Sequence, residues 1–305
     1  MTKRPHKDIA ASVRQRLLNH ARETGRPFNE LLQYFAMERF LYRLSKSPYV
    51  DNFVLKGALM LTVWEAPLSR PTMDIDLLGL IDNSIEDIVA VTKNICTQEV
   101  EPDGITFEPS GIEGERITED ADYGGVRVRF RGSLGTAHIT MQLDIGFGDM
   151  VIPAADSLEY PTILDLPAPK LRGYTKESTI AEKFEAMVKL GILNSRMKDF
   201  FDIWLISRQF DFKGPILAAA IAKTFSTRGT EIYPEPVALT NSFADDRAKV
   251  AQWLGFIRKN RLTSVPEDLG EVITAIATFL APIAKSMAVN LPFEATWIAP
   301  GPWRH

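Results

Sequence analysis

Asp74 and Asp76 flank one isoleucine in the run Arg70-Pro71-Thr72-Met73-Asp74-Ile75-Asp76-Leu77-Leu78. In a strand, alternate side chains share a face. The two carboxylates would then stand side by side while Ile75 and Leu77 turn toward a core. Neighbouring carboxylates repel unless positive charge lies between them, and hard oxygen donors suit Mg²⁺ or Mn²⁺. A third acid, Asp144, sits in a second alternating run, Ile139-Thr140-Met141-Gln142-Leu143-Asp144-Ile145. Should that run lie beside the first, three carboxylates would meet, the set that two-metal phosphoryl transfer requires. Taken alone, an Asp-x-Asp pair fits a solvated strand face just as well.

Three other groups of residues could act with these acids. Gly57 precedes a short helical segment, and a turn of that kind exposes backbone N–H groups to phosphate. Lys183 borders the apolar stripe formed by Ile180, Phe184 and Met187. It either snorkels to solvent or projects into an interdomain cleft, where it would neutralise a triphosphate; on either reading Lys183→Ala should leave folding nearly unchanged. Asp199 and Asp202, one helical turn apart, either orient Lys183 or the nucleotide, or pair with Lys198 and Arg196. Residues 1–46 hold ten basic side chains, Arg14, Arg16, Arg39 and Arg43 among them, against four acidic ones. This local excess of +6 could bind RNA phosphates or be a solvated helical face. Arg127, Arg129 and Arg131 alternate with apolar residues and could likewise meet phosphate or solvate a sheet.

The elements that must position these residues follow from periodicity. Segments 8–24 and 28–46 read as helices separated by Gly25-Arg26-Pro27. Residues 74–80 read as a strand, and 84–97 as a helix with Ser84 as N-cap and Asp87 at the capping-box spacing. Segments 105–108, 125–131 and 137–147 read as strands, with a hairpin loop at 132–135. Prolines 161, 167 and 169 mark a linker, and helices are expected over 176–193, 197–210, 213–225, 243–259 and 267–289. The expected class is α+β, with an α/β domain over residues 1–165 and an all-helical domain over 166–305.

Lys56-Gly57-Ala58-Leu59, Arg70-x-Thr72-x-Asp74-Ile75-Asp76, Leu143-Asp144-Ile145-Gly146, Ala181-Glu182-Lys183-Phe184-Glu185-Ala186 and Arg196-Met197-Lys198-Asp199-Phe200-Phe201-Asp202 occur in that order. In this the chain resembles the AbiEii/AbiGii-type (MenT-like) nucleotidyltransferase toxins, over residues of about 50 to 210. The resemblance implies a polymerase-β-like nucleotidyltransferase fold with a helical C-terminal domain. It implies an NTP substrate, transfer to the acceptor end of tRNA, and a separately encoded antitoxin. It also implies catalytic roles for Asp74, Asp76, Lys183, Asp199 and Asp202, with metal held by Asp74, Asp76 and Asp144. Nucleotide contacts are implied for Lys56, Gly57, Ala58, Arg70, Thr72 and Lys183. The wider superfamily carries Gly-Ser in the turn where this chain has Gly57-Ala58, so Thr72 is the candidate to supply the missing hydroxyl.

Composition narrows the alternatives. The 305 residues are 45% hydrophobic and 24% charged, with a net charge of −4, which argues against a general nucleic-acid coat. No apolar run reaches the ~20 residues of a membrane helix, and Met1 to Asp8 lead into no signal segment. The one cysteine, Cys96, rules out an internal disulfide and disfavours a thiolate zinc site. The expected setting is the cytoplasm. His6, His20, His138 and His305 lack metal-ligand spacing, and no Walker loop or nucleophile elbow occurs. Two rival functions remain: a non-catalytic RNA-binding protein, and a nucleotidyltransferase acting on protein or a small molecule.

Overall fold

The computed structural model describes residues 8–66, 70–117 and 124–304. Lys3, Arg4, Lys7, His6 and His305 lie outside the described residues. The chain divides into two compact units. The first comprises residues 1–63, 71–148 and 156–173; the second comprises 64–70, 149–155 and 174–305. The first unit runs on through the strand at 170–173, and segments 64–70 and 149–155 belong to the second.

The first unit opens with helices α1 (Ile9–Thr24) and α2 (Phe28–Lys46). The side chain of Asp8 caps α1, and Gly25, in the left-handed region, ends it. There follow β1 (Phe53–Lys56), α3 (Leu59–Val63), β2 (Ile75–Gly79) and α4 (Ile85–Cys96). Ser84 caps α4 as expected, accepting the Asp87 N–H at 3.1 Å. The unit continues with β3 (Ile105–Ile117), β4 (Gly125–Leu134), β5 (Ala137–Phe147), β6 (Asp156–Glu159) and β7 (Lys170–Gly173).

These seven strands form one mixed sheet in the order β3-β4-β5-β2-β1-β7-β6. The pairs β2–β5 and β1–β7 are parallel and the others antiparallel. The β4–β5 turn falls at Gly135-Thr136 rather than across 132–135. Gly132 is a strand residue, where an added Cβ would come within 2.9 Å of the Phe107 ring. Gly135, at φ 59°, supplies the positive φ that a two-residue hairpin turn needs.

Helix α2 is buried on nearly all sides from Leu31 to Leu44. A helix in that position must neutralise its polar side chains internally. Gln33 donates to the carbonyls of Met73 and Thr140, at 3.3 and 3.1 Å. Arg43 grips Asp103 with both terminal nitrogens, at 2.7 and 3.1 Å.

The second unit contains α5 (Lys176–Leu190), α6 (Met197–Gln209), β8 (Phe212–Lys213), α7 (Gly214–Arg228), α8 (Asn241–Ala244), α9 (Arg247–Asn260), α10 (Leu269–Ala288), β9 (Thr296–Trp297) and β10 (Trp303–Arg304). The helices fall close to their expected positions. The all-helical expectation is corrected by a small antiparallel sheet, β10-β9-β8. Its two-residue strands are below the length at which alternation can be read, and aromatic packing around Phe279, Trp297 and Trp303 holds them. Among the described residues α10 alone has the length and apolarity to cross a membrane. Its Val272, Ile276, Phe279 and Ile283 are buried inside the protein, as in a core helix.

Candidate active site

The parallel pairing of β2 with β5 sets Asp76 opposite Asp144. Asp74 lies immediately before β2, and ligand atoms of Asp74, Asp76 and Asp144 all fall within 4.8 Å of one another. Between them Ile75, Leu77, Leu143 and Ile145 are buried. Period-2 alternation therefore drives the apolar set into the core and leaves the acids together on the other face. Three half-buried carboxylates with converging oxygens match the donor chemistry of a hard divalent cation; the residues fit the metal expected of them.

Asp74 and Asp144 are already oriented. The Thr72 hydroxyl donates to Asp74 Oδ1 in a short contact, while the Thr72 N–H donates to the Tyr34 hydroxyl at 3.1 Å. Thr72 is buried, and its hydroxyl serves the carboxylate rather than standing free for a phosphate. Arg127 binds both oxygens of Asp144, Nε to Oδ1 at 2.8 Å and Nη2 to Oδ2 at 2.7 Å.

The turn after β1 approaches Asp76 closely. Gly57 has φ 72°, and a Cβ there would lie 1.9 Å from Asp76 Oδ2. Glycine is required both by the backbone conformation and by the carboxylate. The Ala58 methyl is buried, so it faces packing and not a ligand. Lys56 pairs in register with Asp76. Its ammonium lies over Gly146, 3.4 Å from where a Cβ would stand. Residues 144 and 146 share a strand face, so Lys56 stands on the carboxylate side of the sheet.

In the helical unit, Lys183, Asp199, Asp202 and Arg70 form one ion cluster. Lys183 Nζ lies 2.7 Å from Asp199 and 2.9 Å from Asp202. Arg70 binds Asp202 through Nε and Nη2 at 2.9 and 3.0 Å. Burial pushes the Asp202 carboxyl up, but the Arg70 and Lys183 charges overcome this and hold it at about 2. Burial likewise pushes the Lys183 ammonium down, and Asp199 and then Asp202 more than reverse it. Lys183 is thus a half-buried cation held between two acids and not a snorkelling one. Asp202 is the hub, joined to both cations.

The four arginines expected to meet RNA part company. Arg14 and Arg16 are exposed on α1, with Arg14 over the Phe28 ring. Arg39 and Arg43 are corrected: both are buried. Arg39 pairs with Glu38 at 2.7 Å and donates to the Pro167 carbonyl at 2.8 Å, and Arg43 holds Asp103. The reason is the all-round burial of α2. Sequence reading missed the Arg127–Asp144 pair, because its register depends on a hairpin turn placed two residues later than expected. Of the arginine row, Arg129 pairs with Glu115 at 2.8 Å and Arg131 is exposed.

Three carboxylates thus converge on one face of a mixed sheet, with a glycine turn against one of them. The chain belongs to the AbiEii nucleotidyl transferase toxin family of type IV toxin–antitoxin systems, whose family model matches residues 39–275. That membership implies a separate antitoxin partner. No curated protein matches the chain. Two solved structures from Helicobacter pylori are similar. One, described as a nucleotidyltransferase, is 16% identical, covers 85% of this chain and 96% of its own, and has a TM-score of 0.46. The other, JHP933, is 16% identical, covers 86% of this chain and 95% of its own, and has a TM-score of 0.49.

Proposed function

We propose that this protein transfers a nucleoside monophosphate from an NTP to an RNA acceptor, the 3′ end of tRNA, in a metal-dependent reaction. The observation that carries the reading is the register pairing of Asp76 with Asp144 beside Asp74. In the reaction an acceptor hydroxyl oxygen gives up its proton to solvent and bonds to the α-phosphorus, the bond from that phosphorus to the bridging oxygen breaks, and pyrophosphate leaves. Asp74, Asp76 and Asp144 would hold Mg²⁺ or Mn²⁺, which when bound makes the acceptor hydroxyl more acidic and neutralises the leaving group. Thr72 orients Asp74, and Gly57 gives Asp76 its space. In the first unit, Lys56 and the turn at Gly57-Ala58 are assigned to the nucleotide as positive charge and backbone donors. Asp199 and Asp202 keep Lys183 charged and in place.

Exposed Arg14 and Arg16 support an RNA acceptor reached through phosphate contacts. The cytoplasm, where NTPs and tRNA meet, is the assigned setting. Burial of Arg39 and Arg43 favours a second reading, in which the acceptor is a protein or small molecule, because half of the expected basic surface is internal. Incubation with each α-labelled NTP, Mg²⁺ and total cell extract, followed by separation of RNA, protein and small molecules, tests both. Label in a tRNA-sized band supports the RNA reading. Label only in protein or small-molecule fractions replaces it with the second, and no label in any fraction contradicts both.

A further inference from the structure

Arg127 stands opposite Asp144 across the β4–β5 pair, and its fork occupies one lone pair on each carboxylate oxygen. Gln142 Nε2 adds a contact to Oδ1 at 3.2 Å. The acids of the triad therefore differ in kind: Asp74 is held by a neutral hydroxyl, Asp144 by a guanidinium. A guanidinium in that position puts a positive charge beside the gap where a divalent cation would sit, and like charges at such range repel.

The charges around the gap bear on this. Among the described residues Arg127 lies against Asp144 and Lys56 stands on the same sheet face, so positive side chains already offset part of the charge of the three carboxylates. A divalent ion adds positive charge to that face, and a triphosphate offsets it. The Arg127 and Asp144 side chains are 23% and 15% exposed, so the guanidinium can leave its partner without crossing packed core. The buried Arg43–Asp103 pair, at 8% and 3%, has no such freedom.

We propose that Arg127 is an internal counter-cation that couples metal binding to nucleotide binding. Before nucleotide arrives it holds Asp144 and opposes a divalent cation there. When a triphosphate arrives, the guanidinium transfers to phosphate oxygens, for which its planar fork is equally suited, and Asp144 is released to the metal. Arg127 thereby acts as a positioning residue on Asp144 and as a nucleotide contact afterwards. The proposal rests on the metal-dependent reading above.

Direct binding measurements test it. Mn²⁺ titration of the full chain without nucleotide, followed by the electron paramagnetic resonance signal of free Mn²⁺, compares wild type with Arg127→Met and Arg127→Lys. Arg127→Met should bind Mn²⁺ about tenfold more tightly or better, the equivalent of one charge-assisted contact. Arg127→Lys should fall between, since an ammonium cannot take both oxygens. Calorimetry with inorganic triphosphate should show the opposite order, with Arg127→Met about tenfold weaker than wild type. Unchanged Mn²⁺ affinity in Arg127→Met overturns the proposal while leaving the triad reading in place. If Arg127→Met does not fold, Arg127→Lys decides: tighter Mn²⁺ than wild type supports the proposal, equal affinity overturns it. No Mn²⁺ binding by any variant, together with no label transfer by wild type, overturns the triad reading as well.

Discussion

Gly57 and Asp76 compete for one space: a Cβ added at Gly57 would lie 1.9 Å from Asp76 Oδ2 and 2.7 Å from Asp76 Cβ. Asp76 is also the residue that β2 sets opposite Asp144. The turn and the carboxylate triad are therefore one steric unit, and the glycine serves the acid as much as any phosphate.

That relationship predicts the effect of Gly57→Ala. The left-handed backbone disfavours alanine by about 1 kcal/mol, and the methyl must displace the Asp76 carboxylate. Transfer activity should fall on the order of 100-fold, the loss expected when a reacting geometry shifts by about an ångström. Thermal melting should drop by only a few degrees. Near wild-type activity would show that the carboxylate yields without consequence.

Lys183→Ala should be costly to folding, against the expectation from helix propensity alone. Removing this ammonium strands Asp199 and leaves Asp202 with Arg70 alone, in a buried setting. Breaking a buried ion pair from one side costs about 3–5 kcal/mol. Urea denaturation should show that loss together with abolished transfer. Wild-type stability in Lys183→Ala would mean that water reaches the cluster.

Stability should depend on pH through two carboxyls with opposite signs. Burial lifts Glu38 from 4.5 to about 7, the charge of Arg39 opposing it. The folded form therefore binds that proton more tightly, and the stability it adds is complete below about 4.5 and lost as pH rises through 7. Asp202, held at about 2 against an ordinary 3.8, adds stability above about 4 that is lost as pH falls through 2. Urea titrations between pH 4.5 and 8 should show wild type losing stability with a slope that Glu38→Gln flattens. The same slope in both proteins would contradict the buried, uptake-prone state of Glu38.

The two pairs of N-terminal arginines should separate. Arg14→Gln with Arg16→Gln should leave melting within a degree or two while flattening the salt dependence of tRNA binding, as fewer counterions are released. Arg43→Gln should instead destabilise the fold, because Asp103 keeps a buried charge. RNA binding with an unchanged salt slope in the double variant would remove α1 from the interface.

Sequence alone made much of this legible. Alternation placed Ile75 and Leu77 inward and the acids outward, and Ser84 announced the start of α4. The order of motifs from Lys56 to Asp202 pointed to the fold. What stayed hidden depended on contacts distant in sequence. Arg39 and Arg43 looked like surface charges because their partners, Glu38 with the Pro167 carbonyl and Asp103, signal burial only once α2 is packed. Arg127 looked like one of a row until the turn at Gly135 fixed its register against Asp144. The two-residue strands near Trp297 and Trp303 have no period to read.

The central claim is that the Asp74–Asp76–Asp144 face transfers a nucleotide rather than a phosphate. The most direct measurement supplies the same NTP labelled at either the α- or the γ-phosphate, with Mg²⁺ and tRNA, to wild type and Asp76→Asn. The account predicts α-label in the tRNA, γ-label released as pyrophosphate, and neither reaction in Asp76→Asn. γ-Label in the acceptor, or full α-label transfer by Asp76→Asn, would contradict it.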